Sequence, residues 1–170
     1  WLESKSGTGF PDGTADFTLS TWVKVSSFFG PDGKPDIVEG VAGGPNKIYP
    51  GYGNGTFLKS REFGGNNETT VIKLLKLDGD EFPDIVEGTF GQANNVYLLD
   101  GATGNFKAPM AIGNSTIDTN NTRAMVLGDI LPKGGTDGHL DLVVGNALPE
   151  RDIVYQGNST GYFTKFEEIQ

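Results

Sequence analysis

Cysteine is absent from the 170 residues, so disulfides and thiolate metal sites are excluded and the redox compartment stays open. Histidine occurs once, at His139, and no Ser-His-Asp arrangement has a framework around it. Helical signals are scarce too, because no segment keeps an apolar period of helical spacing. No apolar run approaches the ~20 residues of a membrane-spanning helix, and no signal-peptide pattern stands at the start. Basic charge is in short supply: 13 Lys and Arg face 22 Asp and Glu, a formal net charge of −9. A polyanion needs clustered Lys and Arg, so this balance argues against nucleic acid as a partner. The chain opens on Trp1, as expected of a processed or excised piece.

Glycine is what the chain has in abundance, 26 residues, together with 11 Phe and 5 Tyr. Such a composition favours short strands and tight turns in a chain long enough for a real core. The order of the residues is repetitive. Pro35-Asp36-Ile37-Val38-Glu39-Gly40 returns as Pro83-Asp84-Ile85-Val86-Glu87-Gly88 and as Leu140-Asp141-Leu142-Val143-Val144-Gly145. Each is followed by a second short strand, Asn46–Tyr49, Asn95–Leu98 and Asp152–Tyr155, and then by a glycine-rich turn ending at Phe57, Phe106 and Phe163. A fourth copy of that turn stands alone as Gly7-Thr8-Gly9-Phe10.

Each period reads as four strands. An apolar one precedes the aspartate loop (Thr21–Val25, Thr70–Leu77, Thr122–Leu127), two follow it, and one starts at the turn Phe (Phe57–Phe63, Phe106–Ile112, Phe163–Ile169). Four antiparallel strands in ~40–50 residues, repeated, predict an all-β chain of β-propeller blades. The expected division is an outer strand of a preceding blade at 1–20, then blades at 21–68, 69–121 and 122–170, a partial propeller of about three blades. Propellers close with ~4–8 blades, so the raw blade faces are expected to be covered by further blades or subunits of a larger assembly.

The order of aspartate loop, Asp-Ile/Leu-Val, Asn-containing strand and Gly-x-Gly-x-Phe turn resembles the FG-GAP/VCBS repeats of integrin α-chain-like propellers. That resemblance implies calcium held by loops of the form Asp-x-Asp-x-Asp-Gly-x-x-Asp. Carried over, it implies Asp78, Asp80 and Asp84 in the second loop, with Lys76 at the first ligand position and Glu81 replacing the glycine. In the first loop Asp32 and Asp36 match, with Phe28 and Gly30 where ligands belong. The third loop keeps Asp137 and Asp141, with Asp129 displaced by an insertion that includes Pro132-Lys133-Gly134-Gly135. Affinity follows ligand number and charge, so the third loop is the expected best site and the first the weakest. The Lys76 ammonium is placed to pair with Asp78, Asp80 or Asp84, and His139 falls at the main-chain ligand position.

Five acceptor patterns for N-glycosylation occur, at Asn54, Asn67, Asn114, Asn120 and Asn158, all in predicted turns or loops. Glycans are expected on Asn67, Asn114 or Asn120, in linkers between blades, ahead of Asn54 and Asn158 in the tight glycine turns. Together these features imply a secreted, cell-surface or luminal interaction module without catalysis, presenting loops to a protein or glycan. The second reading is the propeller portion of a carbohydrate-binding or carbohydrate-active protein, with Trp22, Tyr52 and Phe90 as aromatics able to stack on sugars.

Overall fold

The computed structural model of the protein describes residues 34–114, 118–119, 121–131 and 137–169, together with the backbone of Thr18–Val23. The leading turn Gly7–Phe10, Asp32, the inserted Pro132–Gly135, Asn120 and the side chain of Trp22 lie outside the described residues.

Among those residues all regular structure is β, without a helix. The strands are β1 (Thr18–Val23), β2 (Asp36–Tyr49), β3 (Arg61–Leu75), β4 (Asp84–Thr89), β5 (Asn95–Tyr97) and β6 (Leu99–Asp100). They continue as β7 (Asn105–Phe106), β8 (Met110–Ala111), β9 (Thr122–Gly128), β10 (Asp141–Asn146), β11 (Asp152–Gln156) and β12 (Thr164–Ile169). Their order is β1-β2-β3-β4-β5-β8 in one sheet and β12-β11-β10-β9 in another, with β6 and β7 forming a small ribbon. These pairings are antiparallel.

The six-stranded sheet is two four-stranded units sharing β3. Glu68 is the last residue of β3 paired with β2, opposite Ala42, and Thr69 is the first paired with β4, opposite Thr89. β2 also turns back on itself. The Gly51 amide reaches the Asp36 carboxylate at 2.8 Å, whereas an extended strand of that length would hold its ends ~45 Å apart. Gly43, with φ of 74°, stands between the two arms in a conformation that glycine alone adopts freely. The first, second and third sheets are therefore β1 with both arms and the start of β3, then β3–β4–β5–β8, then β9 to β12.

The fourth strand of the middle unit, expected as one run from Phe106, is split into β7 and β8. Pro109 lies between them, and proline has no N–H to give a ladder. In the first unit the fourth strand begins at Arg61 rather than Phe57, which makes an isolated bridge to Gly51.

The middle unit is buried on both faces, and all six residues of β4 are inaccessible. Alternate residues of a strand point opposite ways, so Ile85 joins Val38, Ile48, Phe63 and Tyr97 on one side. Val86 joins Leu142, Val144, Ile153 and Tyr155 on the other. Each such aliphatic side chain contributes on the order of 1.5–3 kcal/mol by leaving water. The glycines closing the second strands let neighbouring sheets approach. A Cβ on Gly40 would stand 2.8 Å from the Thr69 methyl, and one on Gly88 3.0 Å from the Thr122 methyl.

Candidate functional site

The aspartate that opens each second strand is buried and acts as a clasp. Asp84 accepts from the amides of Leu77 and Leu99 at 2.8 and 2.9 Å. Asp141 accepts from Ile130, Leu131 and Gly157 at 2.9, 2.8 and 3.0 Å. Asp36 accepts from Gly51 in the same way. One short carboxylate thus ties its loop to the end of the third strand, satisfying amides that burial would otherwise orphan. A second clasp recurs one strand on. Asn46, Asn94 and Asp152 accept through Oδ1 from the amides of Val41, Thr89 and Asn146. The strand itself starts at Asn95 as expected, but Asn94, just before it, stands where Asn46 does.

In the second loop, Asp78 and Asp80 cap local turns, accepting from the amides of Asp80 and Phe82. Burial raises the Asp78 carboxyl, but hydrogen bonds from Lys107 and from the Asp80 amide outweigh it and hold the pKa below the usual range. Lys107 lies 2.9 Å from Asp78, and that bond, with Asp78, Asp80 and Asp84 nearby, keeps its ammonium strongly protonated. Lys76 does not take this role. Its ammonium pairs with Glu81 at 2.6 Å, outside the cluster, where both side chains face solvent. Asp84 is pushed up to about 6 by burial, against its two amide donors, with the Asp78 and Asp80 charges adding to the rise.

The third loop is arranged differently. Asp129 accepts from the Gly138 amide through Oδ2, and Asp137 from the His139 amide. Oδ1 of Asp129 is buried without a hydrogen-bond partner, the one such side-chain atom among the described residues. No group of three metal-ligating side chains is assembled among the described residues. The second loop is a poor fit for calcium, since an ammonium already sits on its carboxylate. In the third, Asp129 Oδ1 is the kind of acceptor that a hard cation satisfies.

The glycosylation acceptors fall in unlike settings. Asn67 lies inside β3, not in a linker, half-buried and donating to Glu87 at 3.1 Å. Asn54 and Asn158 are exposed, each accepting through Oδ1 from the amide and hydroxyl of the Thr two residues on. Asn114 is exposed as well.

A feature that sequence reading passed over lies between the first two sheets. The Glu87 side chain is fully buried. Its Oε1 accepts from Asn46 Nδ2 and Thr69 Oγ1, both at 2.7 Å. Its Oε2 accepts from Asn67, Asn95 and Tyr97 at 3.1, 3.0 and 2.8 Å. Five neutral donors from both sheets thus surround one carboxylate, and among the described residues no cation is among its partners. Burial and that carboxylate push the Tyr97 phenol well above its ordinary pKa. The related pair Glu39 and Tyr49 in the first sheet, at 2.6 Å, raises Tyr49 to about 12. The only sequence signal was the Glu shared by the first two repeats and replaced by Val144 in the third.

Over this hub opens a pocket of about 560 Å³. Asn67, Gln92, Asn95 and Asn105 line it together with Phe106 and Arg61. Its inner wall includes Phe63 and Tyr97, packed edge to face at 5.3 Å, with Phe106 5.3 Å from Phe63. Of the aromatics expected to meet sugars, Tyr52 is exposed, and Phe90 lies under the Arg123 guanidinium at 4.9 Å. Neither lines the pocket. His139 is half-buried, in a smaller hollow with Lys76 and Asn158. No protein-family model matches the chain, and no curated protein matches it.

Proposed function

We propose that the chain is a run of β-propeller blades of the FG-GAP/VCBS kind, forming a non-catalytic interaction and scaffold module outside the cytosol. The observation that carries this reading is the thrice-repeated clasp, in which Asp36, Asp84 and Asp141 each accept the amide of a residue just past the third strand. Calcium, where it binds, is held by the third loop through Asp129 and Asp137. In the second loop Lys107 supplies the positive charge instead.

The arc is completed by a further sheet of the same kind, from more of the polypeptide or from another subunit. Support comes from the glycine seats. Gly40 and Gly88 each receive a threonine methyl from the next sheet, whereas among the described residues the space over Gly145 meets only Ala124 and Asp152 of its own unit. Val126, on the same sheet, is 65% exposed. Sedimentation velocity of the chain tests this: concentration-dependent association is expected, and a monomer at all concentrations with cooperative unfolding would remove the incomplete-propeller reading.

A further inference from the structure

We infer that the pocket between the first two sheets is a binding site for a neutral, polyhydroxylated ligand, a saccharide unit. The fold does not require the polar hub beneath it. At the equivalent position of the third sheet Val144 is fully buried in apolar surroundings, so the architecture accepts an aliphatic residue there. A buried carboxylate with five donors and, among the described residues, no cation is a costly alternative that orders what it touches.

What it orders is the pocket wall. Asn67 and Asn95 both donate to Glu87 through Nδ2, which turns their carbonyl oxygens away from it. Those oxygens accept no hydrogen bond from the described residues, and neither is a buried orphan, so they are open to the pocket both residues line. Gln92 accepts the Glu68 amide through Oε1, leaving its NH₂ group as a donor beside them. Two fixed acceptors and a donor, next to the half-buried Phe106 ring, match hydroxyls that both give and accept protons and a ring with an apolar face.

The buried hub offers a charged ligand no contact. Glu87 is inaccessible and saturated, so it cannot receive a cation, and Glu62, which also lines the pocket, is exposed to solvent. Lys107 is held by Asp78, and Arg61 donates to Asn105 at 3.2 Å, so both cations lining the pocket already have partners. The volume falls within the ~300–1,000 Å³ usual for small-ligand sites. This inference concerns the first two sheets alone and stands apart from whether the arc is completed by further blades.

Ligand-observed NMR with methyl glycosides of glucose, galactose, mannose and N-acetylglucosamine, each up to ~50 mM, tests it on the whole chain. Gly65→Trp is the blocking variant. A Cβ at Gly65 meets only Asn67 Oδ1, at 3.7 Å, so the ring can fill the mouth without backbone strain. Binding of at least one glycoside, weakened ~10-fold or more by Gly65→Trp with an unchanged melting temperature, is the expected result. Should that variant fold poorly, Gln92→Leu removes the donor and is expected to weaken binding likewise. The inference is overturned if no glycoside binds, if binding is indifferent to both variants, or if a lysine-containing peptide or inorganic phosphate occupies the pocket while the glycosides do not.

Discussion

The two interfaces within this protein solve the same packing problem with opposite chemistry. Between the first and second sheets a buried carboxylate gathers Asn46, Asn67, Thr69, Asn95 and Tyr97. Between the second and third, the equivalent residue is Val144, packed among Val86, Leu142, Ile153 and Tyr155. Without Glu87 to accept its bond, the buried Tyr155 phenol is raised by burial and by Asp118 and Glu168. The backbone frame is common to both, through the same aspartate clasps. The difference shows that the frame fixes sheet spacing while the side chains between sheets are free to vary, and a polar filling fixes a wall that an apolar one would leave unspecified.

The sharpest way to break the comparison is to impose the first solution on the second interface. Val144→Glu sets a carboxylate into the apolar cluster of Val86, Leu142 and Ile153, where Asn94 and Thr122 are already bonded to each other, and a loss of at least ~4 kcal/mol, or failure to fold, is expected in denaturant titration.

Next in size is a pH effect centred on the middle sheet. The Asp84 carboxyl is raised in the folded protein to about 6, from an ordinary value of 3.8. Between those values the folded state binds a proton that the unfolded state does not. Stability is therefore greatest at the low end of this window and falls as pH rises through about 6, by up to roughly 3 kcal/mol. The depressed Asp78 acts the other way and only at lower pH, since its contribution is lost as pH falls through its folded value. Melting temperature should thus rise as pH falls from about 7 to about 4 and turn over only below that. Asp84→Asn should flatten the upper limb, because the amide cannot titrate.

Glu87→Gln comes third. It sets an NH₂ group against donors that both oxygens now accept, so a loss of ~2 kcal/mol is expected from the denaturant midpoint, with unchanged slope. A silent substitution would mean that the hub contributes nothing to the first interface.

The smallest effect separates the two lysines of the second loop. Lys107→Met should cost on the order of 0.5–1 kcal/mol, limited by solvent screening of the half-exposed ammonium, and should make the loop more responsive to added calcium. Lys76→Met should change neither the melting temperature nor the calcium response, since its partner Glu81 is on the surface.

Much of this order was legible in the chain. Asp-Ile-Val-Glu-Gly and its relatives announced short strands buried on both faces, and β4 follows this fully while β10 buries its apolar side chains fully on one face only. The partner change at Glu68 and Thr69 lies in a polar Asn-Asn-Glu-Thr-Thr run, where periodicity also breaks. Which asparagine makes the second clasp was not legible, because Asn94 and Asn95 are adjacent and chemically identical; only the Thr89 amide distinguishes them. The hub escaped for a different reason. Its donors stand up to 41 positions from Glu87, on two sheets, and no spacing rule links residues that only tertiary folding brings together. Lys107 was hidden likewise, reaching Asp78 across 29 positions from the far side of the glycine turn.

The repeated clasp is the centre of this account, and amide hydrogen exchange reads it directly. Gly51, Leu99 and Gly157 each donate to a buried aspartate rather than to a backbone carbonyl. All three amides are predicted to exchange slowly, on the scale of the strand cores, and Asp84→Asn should accelerate Leu99 while leaving Gly157 unchanged. Rapid exchange at these three positions in the unsubstituted protein would contradict the clasp, and with it the three-fold repeat on which the functional reading rests.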